Sequence, residues 1–218
     1  MGKSIAIDGP AGAGKSTIAK MVAKDLGFIY VDTGAMYRAM ALYLIRKGID
    51  RSDTAGIEKA CEDADISIEY ENGQQVVLLM GENVNAYLRT EEVGNMASAS
   101  SVHAKVREKM TELQRKLAAE QDVVMDGRDI GTVVLPNADL KIFLTASVEE
   151  RAKRRYDELK AKGQDADLKA IEKDIAERDH RDMTREVAPL KQAEDAVLVD
   201  TTSMNIQEVA DKIMSYIK

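Results

Sequence analysis

Gly9-Pro10-Ala11-Gly12-Ala13-Gly14-Lys15-Ser16, preceded by the apolar run Ile5-Ala6-Ile7, decides the fold. The order is apolar strand, glycine loop, Lys–Ser, helix. The glycines let the backbone turn its N–H groups inward, where a Cβ would meet the turn or the ligand. A helix starting near Gly14 adds its positive N-terminal end. Lys15 brings a mobile charge to the β- and γ-phosphates, and Ser16 brings a hydroxyl to Mg2+. The stretch implies a site that holds a nucleoside triphosphate by its phosphates. Lys15 is expected to face solvent or ligand rather than core.

Working outward, short apolar runs recur at Ser4–Ile7, Phe28–Val31, Val123–Met125, Leu140–Leu144 and Ala196–Val199. Most are continuous rather than alternating, as strands covered on both faces are. Helical stretches separate them: Lys15–Leu26 with Gly27 as its C-terminal cap, Thr33–Arg46, Val102–Glu120, Val148–Lys162, Leu168–Arg185 and Ile206–Ile217. Alternating strands and helices predict an α/β fold, a five-stranded parallel sheet flanked by helices with right-handed crossovers. One segment departs from this. Ile66, Ile68 and Tyr70 alternate with polar residues, Asn72-Gly73 is a type I′ hairpin signal, Gln75–Met80 is the return strand and Val84–Leu88 a candidate third. An inserted antiparallel subdomain is therefore expected at about 60–100, in a single domain whose core is about 1–59 and 100–218.

The 218 residues carry a net charge of −7, against a general nucleic-acid binder, though a local basic pocket is compatible with it. No apolar run approaches the 18 or so residues of a membrane span. The first strand begins almost at the first residue, so no signal peptide is expected. Cys61 is the only cysteine, which suits a reducing cytoplasm. Cys61, His103 and His180 do not form a metal-ligand pattern.

A phosphate loop alone fits GTPases, motors, transporters and small-molecule kinases. There is no Asn-Lys-x-Asp with which a GTPase reads guanine. Arginines are plentiful: Arg38, Arg128, Arg151, Arg154, Arg155, Arg178, Arg181 and Arg185. Phosphoryl transfer between two anions needs both ends neutralised, and the planar guanidinium does this well. For Arg151, Arg154 and Arg155, helix solvation explains the charge equally well. Arg178, Asp182 and Arg185, spaced i, i+4, i+7, share a helix face that could bind an anion or form a salt-bridge ladder.

Asp32-Thr33-Gly34-Ala35-Met36-Tyr37-Arg38, Asp126-Gly127-Arg128-Asp129-Ile130-Gly131-Thr132 and Glu177-Arg178-Asp179-His180-Arg181-Asp182, with Gly9–Ser16, closely resemble the long-form bacterial cytidylate kinases of the P-loop nucleoside monophosphate kinase family. The resemblance runs essentially end to end. It implies ATP-dependent, Mg2+-dependent in-line phosphorylation of CMP and dCMP in pyrimidine nucleotide metabolism, with a mobile helical lid at about 150–167. By the same resemblance, Gly9, Pro10, Ala11, Gly12, Ala13, Gly14, Lys15, Ser16 and Thr17 hold ATP and Mg2+, and Arg154 and Arg155 close over ATP. Arg38 and Arg128 grip the acceptor phosphate, Thr33, Tyr37, Ser98, Arg107 and Asp129 line the CMP pocket, and Arg178, Asp182 and Arg185 contact its sugar and phosphate. Lys15, Arg128, Arg38, Arg178 and Arg185 are the catalytic set. Asp126, at the end of an apolar strand, is a weaker candidate to hold a Mg2+ water. A carboxylate at Asp129 would accept from the cytosine amine and repel the uracil carbonyl; it could also orient Arg128. A UMP/CMP or AMP kinase, or a non-catalytic nucleotide sensor, are the alternatives. The expected partners are small nucleotides in the cytoplasm, with no nucleic acid, no membrane, and a monomeric state.

Overall fold

The computed structural model describes residues 2–71 and 73–217. In chain order its elements are β1 (Ser4–Asp8), α1 (Lys15–Leu26), β2 (Ile29–Asp32), α2 (Thr33–Arg46), α3 (Thr54–Ala60), β3 (Ile66–Glu71), β4 (Gln74–Leu79), β5 (Glu82–Asn83), α4 (Glu91–Ser100), α5 (Ala104–Glu120), β6 (Val123–Gly127), β7 (Leu140–Thr145), α6 (Val148–Ala161), α7 (Leu168–Thr184), β8 (Val197–Asp200) and α8 (Ile206–Met214). A 3-10 turn covers Cys61–Asp63 and a π-helical turn covers Ile130–Val134. Among the described residues the strands form a five-stranded sheet, order β2-β6-β1-β7-β8, and a three-stranded sheet, order β3-β4-β5. The α/β architecture with a parallel sheet and an added antiparallel one is the one expected. The chain divides into two compact units, Met1–Gly2 with Ile29–Val123, and Lys3–Phe28 with Val124–Lys218.

In the second of these units, β1 pairs in parallel with β7, and β7 with β8. Ile5, Ala6 and Ile7 are all buried, which is why β1 reads as a continuous apolar run. Helix α8 packs on α1: it buries Val209, Ala210 and Ile213, and α1 buries Ile18, Ala19, Val22 and Ala23. Gly27 ends α1 at φ 70, its N–H returning to the Ala23 and Lys24 carbonyls.

In the other unit, β3 and β4 pair antiparallel with Glu71 opposite Gln74. Two residues therefore make the hairpin connection, and Gly73 has the positive φ, 74, that such a turn requires. Asn72, the other half of that signal, lies outside the described residues. The hairpin is tied to the start of α2. Gln75 Oε1 accepts from the Asp32 N–H (2.7 Å), Gln75 Nε2 donates to the Asp32 carbonyl (3.3 Å), and Tyr70 Oη donates to the Tyr30 carbonyl (3.0 Å).

Two expectations for 60–100 need correction. The third strand is Glu82–Asn83, not Val84–Leu88. Val84 and Leu88 are buried, but the Tyr87 N–H turns back to the Val84 carbonyl (2.9 Å), so their four-residue spacing serves a turn. Residues 91–100 form α4. Thr90 caps it by accepting from the Val93 N–H (3.3 Å), and Glu91 and Glu92 occupy the first turn. That is a helix-start signal, which the period-two reading passed over. The helix expected from Val102 starts at Ala104, and α3 is an element the apolar pattern did not show.

Gly9 joins β1 to the phosphate loop at φ 150, and a Cβ there would fall on the Leu144 carbonyl of β7. Gly9→Ala is expected to destabilise the protein by about 3 kcal/mol or more, since neither backbone can yield cheaply. Urea unfolding followed by circular dichroism measures this. A loss below about 1 kcal/mol would contradict the close approach.

Candidate active site

The phosphate loop leaves β1 at Gly9 and enters α1 through Gly14, whose φ of 86 is a conformation glycine tolerates without strain. Lys15, expected to face solvent or ligand rather than core, is only 6% exposed, and its ammonium donates to the Pro10 carbonyl (2.7 Å) within the loop. Burial holds its pKa well below the usual lysine range. Arg128 and Arg178 push it further down, and Asp126 and Asp8 push it up. Gly12, Ser16 and Thr17 are exposed. Ser16 Oγ donates to Asp126 Oδ2 (2.8 Å) at the end of β6.

At the end of β1, the Asp8 carboxylate accepts the Ile130 N–H (2.8 Å) and the Gly131 N–H (2.7 Å). It thereby caps the π-helical turn that follows Arg128-Asp129. Burial pushes the Asp8 carboxyl up to about 6, although the two N–H groups oppose this; Asp129 adds to the rise and Lys15 subtracts from it. Helix α7 supplies the next layer. Arg128 Nε donates to Asp182 Oδ2 (2.8 Å), Arg185 Nη1 lies 3.8 Å from Asp182 Oδ1, and Arg185 Nη2 lies 3.6 Å from Asp129 Oδ1. Burial pushes the Asp182 carboxyl upward. Arg128, Arg178 and Arg185 outweigh that and hold it below the usual carboxylate range. Thus Lys15, Arg128, Asp129, Arg178, Asp182 and Arg185 belong to one electrostatic network, and Asp182 is both a ladder member on α7 and the carboxylate that holds Arg128.

The arginines of α6 divide three ways. Arg151 is buried. Its Nε donates to the Ala146 carbonyl (2.9 Å), Nη1 to the Ala11 carbonyl of the phosphate loop (2.8 Å), and Nη2 pairs with Asp179 Oδ2 of α7 (2.6 Å). Arg154 is tied to Glu150 Oε1 (2.9 Å) and to the Thr201 carbonyl (2.7 Å) and hydroxyl (3.1 Å). Arg155 is exposed, paired with Glu158 (2.7 Å).

The remaining candidates lie in the unit containing Ile29–Val123. Asp32 caps α2 by accepting from the Ala35 N–H (2.9 Å), which sets Thr33 and, about one turn on, Tyr37 and Arg38. Thr33 is buried, and Tyr37, Arg38 and Ser98 are half-buried. Arg107 is 4% exposed; its Nη1 donates to the Ser101 carbonyl (3.0 Å) and its guanidinium lies over the Tyr37 ring, 5.4 Å from the centroid.

Hydroxyl and carboxylate oxygens suit a hard cation that keeps waters and phosphate oxygens as its other ligands, and Ser16–Asp126 beside the loop is such a pair. The residues fit Mg2+ held with a nucleotide. Among the described residues no group of three or more His, Cys, Asp or Glu could hold a metal ion by itself, and no helix is long and apolar enough to cross a membrane.

The family model described as cytidylate kinase matches residues 5–218. The chain is 54% identical over 212 residues to a cytidylate kinase of Listeria monocytogenes serotype 4a, covering 97% of this chain and 94% of that one. It is 52% identical over 211 residues to that of Caldicellulosiruptor bescii (97% and 93%), and 50% identical over 215 residues to that of Bacillus subtilis strain 168 (99% and 96%). The chain belongs to the cytidylate kinase family. Among solved structures, a shikimate kinase from Bacteroides thetaiotaomicron has a TM-score of 0.52 at 12% identity, covering 99% of this chain and 98% of that one. An uncharacterized protein from Eubacterium ventriosum has a TM-score of 0.56 at 13% identity, with the same coverage. These two share the fold.

Sequence reasoning gave no role to Asp8 or Asp179, and left Arg151 open between an anion contact and a solvated helix face. Asp8 carried a usable signal: it ends an apolar strand, the same argument that selected Asp126. For Arg151 the spacing offered nothing, because a buried arginine and a solvated one have the same helical period.

The raised pKa of Asp8 has a sign. Its folded-state value lies above the ordinary 3.8, so Asp8 contributes stability as pH falls through about 6 toward 4, and that contribution is lost as pH rises through 6. Carboxyl-carbon NMR of the ligand-free protein is expected to show Asp8 titrating near pH 6. A midpoint at or below 3.8 would show that the two N–H donors outweigh burial.

Proposed function

We propose that this protein transfers the γ-phosphoryl group of ATP to the phosphate of CMP and dCMP, giving CDP and dCDP with Mg2+, in the cytoplasm and as a monomer. The observation that carries the reading is the network of Lys15, Arg128, Arg178 and Arg185 with Asp126, Asp129 and Asp182, directly beside the phosphate loop. Membership of the family supports CMP as the acceptor.

The loop N–H groups and Lys15 hold the β- and γ-phosphates. Lys15 must leave the Pro10 carbonyl to do so, and the anion raises its depressed pKa, so that it is fully charged when the ligand is bound. Ser16, with Asp126 through water, would hold Mg2+, which would supply charge neutralisation to the triphosphate. Arg38 and Arg128 take the acceptor phosphate, and Arg178, Asp182 and Arg185 its sugar and phosphate. Asp182 keeps Arg128 and Arg185 extended before ligand arrives, so little reorganisation is needed. The acceptor oxygen is already anionic and attacks in line; no strong general base is needed. Thr33, Tyr37, Ser98, Arg107 and Asp129 read the nucleoside, with the Asp129 carboxylate accepting from the cytosine amine. Residues 150–167 act as the lid, hinged at its base where Arg151 ties the start of α6 to the phosphate loop. Arg155 can turn to ATP cheaply, because an exposed pair such as Arg155–Glu158 is worth little; Arg154 must first release Thr201.

Arg128→Ala is the test. kcat/KM for CMP should fall by about a hundredfold or more, about 3 kcal/mol of transition-state stabilisation, while calorimetric ATP affinity changes by less than about threefold. Loss confined to ATP affinity would place Arg128 on the other substrate.

A further inference from the structure

We propose that Arg151 and Asp179 are positioning residues that couple triphosphate occupancy of the phosphate loop to the acceptor-binding residues of α7. The inference rests on the reading that Arg178, Asp182 and Arg185 bind CMP. It concerns a pair that touches neither substrate.

Arg151 divides its guanidinium among three elements: the Ala146 carbonyl ahead of its own helix, the Ala11 carbonyl in the phosphate loop and the Asp179 carboxylate on α7. Its side chain is 4% exposed and that of Asp179 10%. A trans peptide plane sets the C=O of one residue opposite the N–H of the next, and no described peptide bond is cis. Holding the Ala11 carbonyl therefore aims the Gly12 N–H the other way, as a loop that binds anions with its amides requires. A Cβ on Gly12 would come within 3.3 Å of Arg151 Cβ, so loop and helix are already in contact. Any shift of the Ala11–Gly12 peptide on binding phosphate is felt at Arg151.

Asp179 transmits it. It lies between Arg178 and, three residues on, Asp182, which holds Arg128. Buried ion pairs allow little slack, because separating the partners leaves two desolvated charges. The position of α7 and that of the phosphate-loop peptide thus tend to change together. Asp179 Oδ1 is buried with no hydrogen-bond partner, so the carboxylate is not pinned at its second oxygen and can follow Arg151. The functional result is mutual tightening: CMP is gripped better when ATP is in the loop and, because the coupling is reciprocal, ATP is held better when CMP is bound.

Calorimetry of CMP binding, with and without a saturating non-hydrolysable ATP analogue and Mg2+, tests this. The native protein should bind CMP at least about fivefold more tightly with the analogue present. The double variant Arg151→Met/Asp179→Leu replaces the pair by apolar groups of similar volume, an exchange that buried ion pairs often tolerate. It should bind each nucleotide alone within about threefold of the native protein, with the coupling ratio reduced to about one. Asp179→Asn keeps an acceptor for Arg151 and should retain an intermediate ratio. A merely structural pair would lower stability and leave the ratio unchanged. A native ratio of one, a native-like ratio in the double variant, equal loss of CMP binding with and without the analogue, or unfolding of both variants would each overturn the proposal. Failure of the underlying reading is separate: it shows as Arg178→Ala leaving CMP affinity unchanged.

Discussion

The Asp8 carboxylate, accepting two consecutive backbone N–H groups at the head of the π-helical turn, is the contact on which the rest of the site depends. A buried carboxylate is costly unless its oxygens are hydrogen-bonded, and both oxygens of Asp8 are. The phosphate loop begins one residue after it, and Asp129 stands one residue before the amides it holds. The strand that delivers the triphosphate loop and the turn that delivers Arg128 and Asp129 are therefore registered by one side chain. From Asp129 the arrangement continues to Arg185, from Arg185 to Asp182, and from Asp182 to Arg128. Each of these two guanidiniums is oriented by a carboxylate, so their positions are set before a phosphate arrives. That preorganisation suits a reaction in which the protein positions and neutralises but forms no covalent bond.

The sheet and its helices were legible because they obey simple periodic rules. Lys15–Leu26 and Thr33–Arg46 begin and end where spacing and caps place them, and the strands of the main sheet match their apolar runs to within two residues. The insert was legible at the Gly73 turn and in the alternation of Ile66, Ile68 and Tyr70. It was misread beyond Leu79, because the buried Val84 and Leu88 do not reveal whether a strand or a turn buries them. The cap at Thr90 was the better signal, since its hydroxyl satisfies a specific backbone N–H.

The site was legible as residues and not as contacts. Lys15 was recognisable from its motif. Its burial and its bond to Pro10 depend on how the loop folds back on itself. Arg151, Arg154 and Arg155 look alike in sequence, yet one is a buried tie between loop and helix, one is anchored to Thr201 and one is exposed. Their differences arise from long-range partners, Ala11, Asp179 and Thr201, that helical spacing does not encode. A net charge of −7 likewise says nothing of where the charges lie, and packing gathers Lys15, Arg128, Arg178 and Arg185 with Asp126, Asp129 and Asp182 in one network.

The claim that this arrangement serves transfer to a cytidine monophosphate is tested most directly by initial rates of ADP formation with Mg2+ and ATP against a panel of CMP, dCMP, UMP and AMP. The account predicts multiple turnovers with CMP and dCMP, and kcat/KM for UMP and AMP lower by at least about tenfold, from the polar atoms that a mismatched base leaves unpaired. Equal kcat/KM for CMP and AMP, or no turnover with any of the four, would contradict it.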